Sequence, residues 1–337
     1  MSEYVIGVDI GGTKSHLALF DTAGNLVDFN HWGPLNHESL PGSFAQAEDE
    51  MGQFFDQTLT RNNVSFKEIA YSVLGVAGVD TKRQHGIISE ILKRIGLENF
   101  TLVNDAFLGI PAGNPTGIGI CAINGTGCTL AGINREGMTL QIGGVGYISD
   151  DYGGGGHIGR DAVSAIYREL FRKGEPTSMT PTLLKELGVT DKHDFVDKVY
   201  DKIAEGTFRA LTGSKMVFMA VLEHNDKVAA GILRNVGLNY GNGISCMIDE
   251  MKYHRDEDLY VVLAGSVFVK GEHPMIIDTV KETVQKYHPD YNVKYTVLEV
   301  PPVAGGVIWA LNKLGENTKG YDYSACYNKV RAQLQEN

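Results

Sequence analysis

The chain is poor in cysteine, short of basic charge and free of long apolar runs. Its four cysteines, Cys121, Cys128, Cys246 and Cys326, lie far apart with no CxxC pair. That spacing speaks against a zinc site, an iron–sulfur cluster or a disulfide framework. Every apolar stretch is broken by Gly, Asn or charge well before the ~20 residues a membrane span requires. Met1 to Tyr4 lead straight into a strand pattern with no basic, apolar-cored leader, so a soluble cytoplasmic protein is expected. Against 41 acidic side chains stand 30 basic ones, a formal charge of -11, and no run of Lys and Arg compensates locally. Nucleic acid and anionic membrane are therefore not expected as partners. No GxxxxGK[ST] loop is present, which excludes the common P-loop nucleotidases. The N-x-S/T triplets at Asn63, Asn99 and Asn124 read as chance.

What is present suits a large α/β protein. With 337 residues and 43% hydrophobic content the chain can bury two cores. Tyr4 to Ile10, Ser15 to Phe20 and Leu26 to Phe29 read as three antiparallel strands joined by turns. Phe44, Ala47, Met51, Phe54, Phe55 and Leu59 recur at helical spacing, Ile69 to Val76 reads as a buried strand, and Ile87 to Ile95 repeats the helix signal before a short strand, Phe100 to Val103. A segment rich in Gly and Pro, Gly109 to Gly117, reads as a loop. The opening pattern then recurs as strands Ile118 to Ile123, Cys128 to Ile133 and Met138 to Ile142. Helices follow near 158–171, 182–187, 194–204 and 228–251, then a strand from Leu259 to Leu263, a helix near 274–287, a strand at 293–298 and a helix from Val303 to Leu314. This duplication predicts two similar domains, residues 1–113 and 114–300, facing one another across a cleft. A helix at 301–315 packs back at their interface, and a polar tail, 316–337, forms a loosely attached helix.

Two hairpin turns carry the chemistry. In Gly7-Val8-Asp9-Ile10-Gly11-Gly12-Thr13-Lys14, the glycines permit positive φ and let backbone amides approach a polyphosphate closely. Asp9 beside such a phosphate would be repelled unless Mg²⁺ lay between them, so its natural role is to hold the metal through water. The second turn, Asn124-Gly125-Thr126-Gly127-Cys128, offers the Thr126 hydroxyl and amides from the other side. A tight hairpin with a solvated Asp is the structural alternative for either turn alone. Donors from both halves are what a clamped polyphosphate requires.

These residues resemble the superfamily shared by sugar kinases, actin and the heat-shock chaperone ATPases, whose domains have the ribonuclease H-like fold around an ATP cleft. Asp9 to Lys14 looks like its first phosphate motif, Asn124 to Cys128 its second, and Leu263-Ala264-Gly265-Ser266-Val267 its adenosine motif. Val103 to Ala106 and Pro302 to Val307 look like its two interdomain connections. Within it, the chain is most similar to the N-acetylglucosamine kinases and the related BadF/BadG/BcrA/BcrD activator ATPases. The residues behind that are Asn36-His37, Asn104-Asp105, Gly143-Gly144-Val145-Gly146 and Asp150-Asp151-Tyr152-Gly153-Gly154.

The resemblance implies ATP and Mg²⁺, with Asp105 as catalytic base for a sugar hydroxyl, most readily the 6-hydroxyl of N-acetylglucosamine. It implies Asn36, His37, Asn104, Gly143, Gly144 and Asp151 around the sugar, Gly265 and Ser266 against the nucleoside, and a homodimer. An Asp at the start of a helix could equally cap it. Where many relatives read Gly-Asp-Glu-Gly-Ser, this chain reads Ser149 to Gly154, so Asp150 competes with Asp151; Val145 replaces a bulky aromatic. Both departures bear on whether the sugar is N-acetylglucosamine, glucosamine or N-acetylmuramic acid. A BadF-type activator would need cluster-holding cysteines, and a sugar-sensing repressor an N-terminal DNA-binding module; neither is evident. Gly154 to Gly159 fits the dinucleotide fingerprint letter for letter but does not follow a strand. His37 and His157 have no spaced partners for a metal.

Overall fold

Tyr4–Ile10 (β1), Ser15–Asp21 (β2) and Leu26–Trp32 (β3) pair antiparallel in sequence, as their alternation and turns require. The computed structural model describes residues 3–125, 127–207, 214–316 and 318–335. Helix α1 (Ser43–Arg61) leads to β4 (Ile69–Val76), α2 (Lys82–Ile95), β5 (Phe100–Val103) and α3 (Ala106–Gly113). Strands β4 and β5 add in parallel beside β1, giving the order β3-β2-β1-β4-β5. The second half repeats this. Strands β6 (Gly119–Asn124), β7 (Cys128–Ile133) and β8 (Thr139–Gly143) form the antiparallel run. Parallel strands β9 (Leu259–Ala264) and β10 (Val293–Val297) complete the order β10-β9-β6-β7-β8.

Between β8 and β9 lies a helical insertion: α4 (Gly155–Phe171), α5 (Met179–Leu187), α6 (Phe195–Ala204), α7 (Ser214–His224) and α8 (Lys227–Met251). Short α9 (Ser266–Lys270) and α10 (Met275–Tyr287) follow β9, and α11 (Val303–Gly315) and α12 (Tyr323–Leu334) close the described chain. No helix among the described residues is long and apolar enough to cross a membrane.

Alternation in the first sheet divides its side chains between two cores. Ile6, Val8, Leu17, Leu19 and Leu74 face Met51, Phe54 and Phe55 of α1 and Ile88 and Leu92 of α2. Val5, Ala18, Phe20 and Val73 instead join α3, α11 and α12, together with Cys121, Ala131 and Val262 of the second sheet. Each fully buried Phe or Leu of this kind contributes roughly 1.5–3 kcal/mol by leaving water. Thus α3 and α11 are shared between the halves and fix how the strand ends meet.

Two expectations fail here for one physical reason each. Gly109 to Gly113 is not loop but the end of α3, buried throughout and with Pro111 inside it. A Cβ at Gly109 would strike Cys121 Sγ and one at Gly113 would lie 2.5 Å from Val262 Cγ1, so the glycines serve flush packing of helix on sheet. The polar tail is not loosely attached: Val330 and Leu334 of α12 are fully buried, Gln333 Oε1 accepts from Leu26 N at 2.8 Å and Lys329 Nζ donates to Ala23 O at 2.7 Å. Two apolar residues and a polar fringe suffice to dock it on the first sheet.

Candidate active site

In parallel sheets the carboxyl ends of the strands gather loops on one edge. At that edge β1 ends at the Gly11–Lys14 turn, β4 at Gly78–Asp80 and β5 at Asn104–Asp105. The chain after β3 brings Asn36, His37 and Glu38 against Gly78, whose φ is +80° and where a Cβ would lie 2.9 Å from Asn36 Oδ1. The corresponding edge of the second sheet carries Gly125–Gly127 after β6 and Gly265–Ser266 after β9.

Asp105 is the residue immediately before α3, in the N-cap position, but its side chain makes no capping bond. That task falls to Asn104, 3% exposed, whose Oδ1 accepts from Ala106 N at 3.0 Å. The Asp105 carboxyl is pushed up to about 7, first by loss of water and then by the negative charges of Asp9 and Asp80, against the opposing pull of the Ala106 and Asp105 backbone amides. Asp9, on β1, faces His16 Nδ1 at 3.7 Å; this nitrogen is buried with no hydrogen-bond partner.

The Gly11–Lys14 turn is closed by Gly11 N donating to Lys14 O at 3.1 Å. Neither Gly11 nor Gly12 uses the positive φ open to glycine. The need is steric: a Cβ at Gly11 would lie 2.8 Å from Lys14 O and one at Gly12 3.0 Å from Ser39 Oγ. Thr13 and Lys14 are exposed, as binding groups at a cleft edge would be. Thr126 lies outside the described residues. Its neighbour Gly125 donates to Gly127 O and accepts from Gly155 N, both at 3.1 Å, so the second turn abuts the amino end of the 17-residue α4. Gly265, at φ +88°, rests on Asn124; a Cβ there would collide with the Asn124 backbone. Gly125, Gly155, Gly265 and Ser266 therefore form one wall.

The end of β8 and the loop after it need left-handed backbone at Gly143, Gly144 and Gly146, with φ of +84°, +99° and +68°. This turns amides inward: Asp151 Oδ2 accepts from Gly144 N at 3.0 Å and Gly146 N at 2.7 Å, while Oδ1 accepts from Ser149 Oγ at 2.7 Å. Asp150 is exposed in left-handed conformation and makes no such contact through its carboxylate. Asn36 Oδ1 accepts from Glu38 N at 2.8 Å. His37, 5% exposed, stacks on Phe44 with centroids 4.0 Å apart, and burial lowers its pKa, keeping it neutral. His157 and the Gly154–Gly159 run form the start of α4, preceded by loop and not by strand.

Sequence reading missed Asp80. It accepts from Asn104 Nδ2 at 2.9 Å and from Gln141 Nε2 of β8 at 2.6 Å, both on Oδ1. Burial raises its carboxyl to about 6, opposed by these amides and reinforced by Glu38 and Asp151. An acid just past the end of a strand, before the Thr81–Gln84 capping box of α2, was the available signal.

No three Asp, Glu, His or Cys side chains among the described residues converge as a metal cage. Mg²⁺ on a nucleotide needs none, since phosphate and water supply most of its ligands. Asp9 and Asp105, two repelling carboxylates with no basic side chain among their hydrogen bonds, fit a water-mediated ion there.

The chain and its fold are similar to known proteins. An N-acetyl-D-glucosamine kinase of Dictyostelium discoideum is 26% identical over 320 residues, covering 92% of this chain and 98% of that protein. An N-acetylmuramic acid/N-acetylglucosamine kinase of Clostridium acetobutylicum is 28% identical over 199 residues, 59% of this chain and 64% of its own. The crystal structure of a candidate N-acetylglucosamine kinase from Chromobacterium violaceum shares the fold, with a TM-score of 0.65 at 19% identity, covering 91% of this chain and 98% of that one. Residues 6–310 match the BadF/BadG/BcrA/BcrD ATPase family as a whole, and the chain belongs to that family.

Proposed function

We propose that this protein transfers the terminal phosphate of ATP to an amino sugar, N-acetylglucosamine at its 6-hydroxyl. The observation that carries the reading is Asp105: a carboxyl just past the end of edge strand β5, with no side-chain capping bond to α3 and with its pKa raised to about 7. A base poised near ambient pH can take the proton of an attacking hydroxyl and return it to solvent within a turnover. Phosphoryl transfer otherwise asks for positioning and charge neutralisation. Gly11, Gly12, Thr13 and Lys14 on one side, and Gly125, Thr126 and Gly127 on the other, are the groups we assign to the phosphates, with Gly265 and Ser266 to the nucleoside. Asn36, His37, Asn104, Gly143, Gly144 and Asp151 are assigned to the sugar. Asp9 would hold Mg²⁺ through water; when bound, the ion neutralises charge on the transferring phosphoryl group.

The substrates of both named kinase relatives support an amino sugar, and the Clostridium protein's name keeps N-acetylmuramic acid as the alternative. We place the protein in the cytoplasm, as a homodimer. The test is ADP release by purified protein with ATP and Mg²⁺ across a panel of amino and neutral sugars. Strong stimulation by N-acetylglucosamine is expected; hydrolysis indifferent to every sugar would sink the kinase reading and favour a BadF-type activator.

A further inference from the structure

Asp80 stands where the two halves meet. Its Oδ1 receives one amide from each: Asn104 Nδ2 from the first and Gln141 Nε2, 61 residues beyond Asp80, from the second. The same Asn104 caps α3 at the residue after Asp105. Opposite lies Gly144, at φ +99°, where a Cβ would fall 2.5 Å from Asp80 Oδ1. The backbone of the second half is thereby brought against this carboxylate at a point where no other residue would fit. Glu38, Asp105 and Asp151 also face it, and no Lys or Arg is among its partners.

We infer that Asp80 is a positioning residue that couples domain closure to the catalytic carboxyl. Gln141 reaches Asp80 only while the halves are closed, and its amide draws Oδ1 to the point where it also holds Asn104. Asn104 then fixes the first turn of α3, and with it the direction of Asp105. In an open molecule Asp80 loses the Gln141 amide, is driven apart from Asp151 and Glu38 by charge, and leaves Asn104 with one anchor fewer. Closure over substrate and alignment of the base thus become a single event, which discourages transfer to water. This rests on the kinase reading for its purpose, although the bridge itself can be tested without it.

The experiment uses Gln141→Glu, Asp80→Asn and the double variant in the full-length protein. Gln141→Glu sets carboxylate against carboxylate at the bridge. Adding Asp80→Asn restores it with donor and acceptor exchanged: the new amide nitrogen donates to Glu, and its oxygen still accepts from Asn104. Gln141→Glu is expected to lower kcat tenfold or more and raise the sugar KM, with the KM for ATP unchanged, and the double variant to recover to within about threefold of the parent. X-ray scattering of the same proteins without ligand should show a larger radius of gyration for Gln141→Glu alone. Thermal unfolding serves as the control for folding. Parent-like kcat and radius in Gln141→Glu, or no recovery in a folded double variant, would overturn the inference. If the parent itself shows no sugar-stimulated ADP release, the kinase reading fails, while the scattering comparison still decides the bridge.

Discussion

Replacing Asp105 with Asn should abolish phosphate transfer and at the same time stabilise the protein. The carboxyl rises from an ordinary 3.8 to about 7 on folding. A raised acid binds its proton more tightly in the folded state, so its contribution to stability is complete below about pH 4 and is lost as pH rises through about 7. The rise of roughly 3 units corresponds to about 4 kcal/mol as an upper limit, and water entry into the cleft reduces the realised amount to about half. Asn keeps the shape and removes the titration. Denaturant unfolding of the nucleotide-free protein would be compared at about pH 5 and about pH 8, where the parent should lose about 1–3 kcal/mol more than the variant over that interval. The variant should be the more stable protein at the higher pH. Equal pH dependence in the two, or a less stable variant at high pH, would refute the reasoning that Asp105 is held in its recess against its own charge. Retained turnover would separately refute its role as base.

Three further outcomes follow from the same contacts. In the parent, kcat/KM for the sugar should fall as pH drops below about 7, because the free enzyme's base becomes protonated; a profile flat from about pH 5 to pH 8 would remove Asp105 from that role. Gly305→Ala should destabilise by about 3 kcal/mol or more, since its Cβ would fall inside the Leu108 carbonyl where α11 crosses α3, and backbone cannot yield as a side chain can. Unchanged unfolding would show that the helices can separate freely. Leu334→Ala, at a fully buried position of α12, should cost about 2–5 kcal/mol by the same measurement; a loss under about 1 kcal/mol would mean the helix is docked by its polar fringe alone.

Much of the fold was legible because its signals are local. Alternation and turn residues mark β1 to β3 and β6 to β8, and helical spacing from Ala47 to Leu59 marks α1. The turns proposed for the site were legible for the same reason: Gly11 and Gly125 lie in glycine-marked hairpin turns, with Asp9 on the strand just before the first. What escaped depends on distant partners. Gly109, Pro111 and Gly113 carry loop composition, yet β6 and β9 press that segment into a buried helix. In α7 the apolar residues from Met216 to Leu222 run almost without interruption, so no helical period shows. Asp80 looks like one acid in a turn until β8 is folded beside it. At Gly11 and Gly12 glycine relieves crowding and does not use positive φ, and sequence does not distinguish the two uses.

The docking of α11 and α12 has a consequence for synthesis. Val5, Ala18, Phe20 and Val73 belong to the earliest sheet, yet the side chains that cover them, from Val303 to Leu334, are the last of the described chain to be made. On the ribosome the first sheet, complete at Val103, can pair its strands and close against α1 and α2, but its other face waits for about 200 further residues, roughly 10–40 seconds at ordinary elongation rates. During that interval the sheet is only half covered, with an apolar face of the kind that favours misassembly.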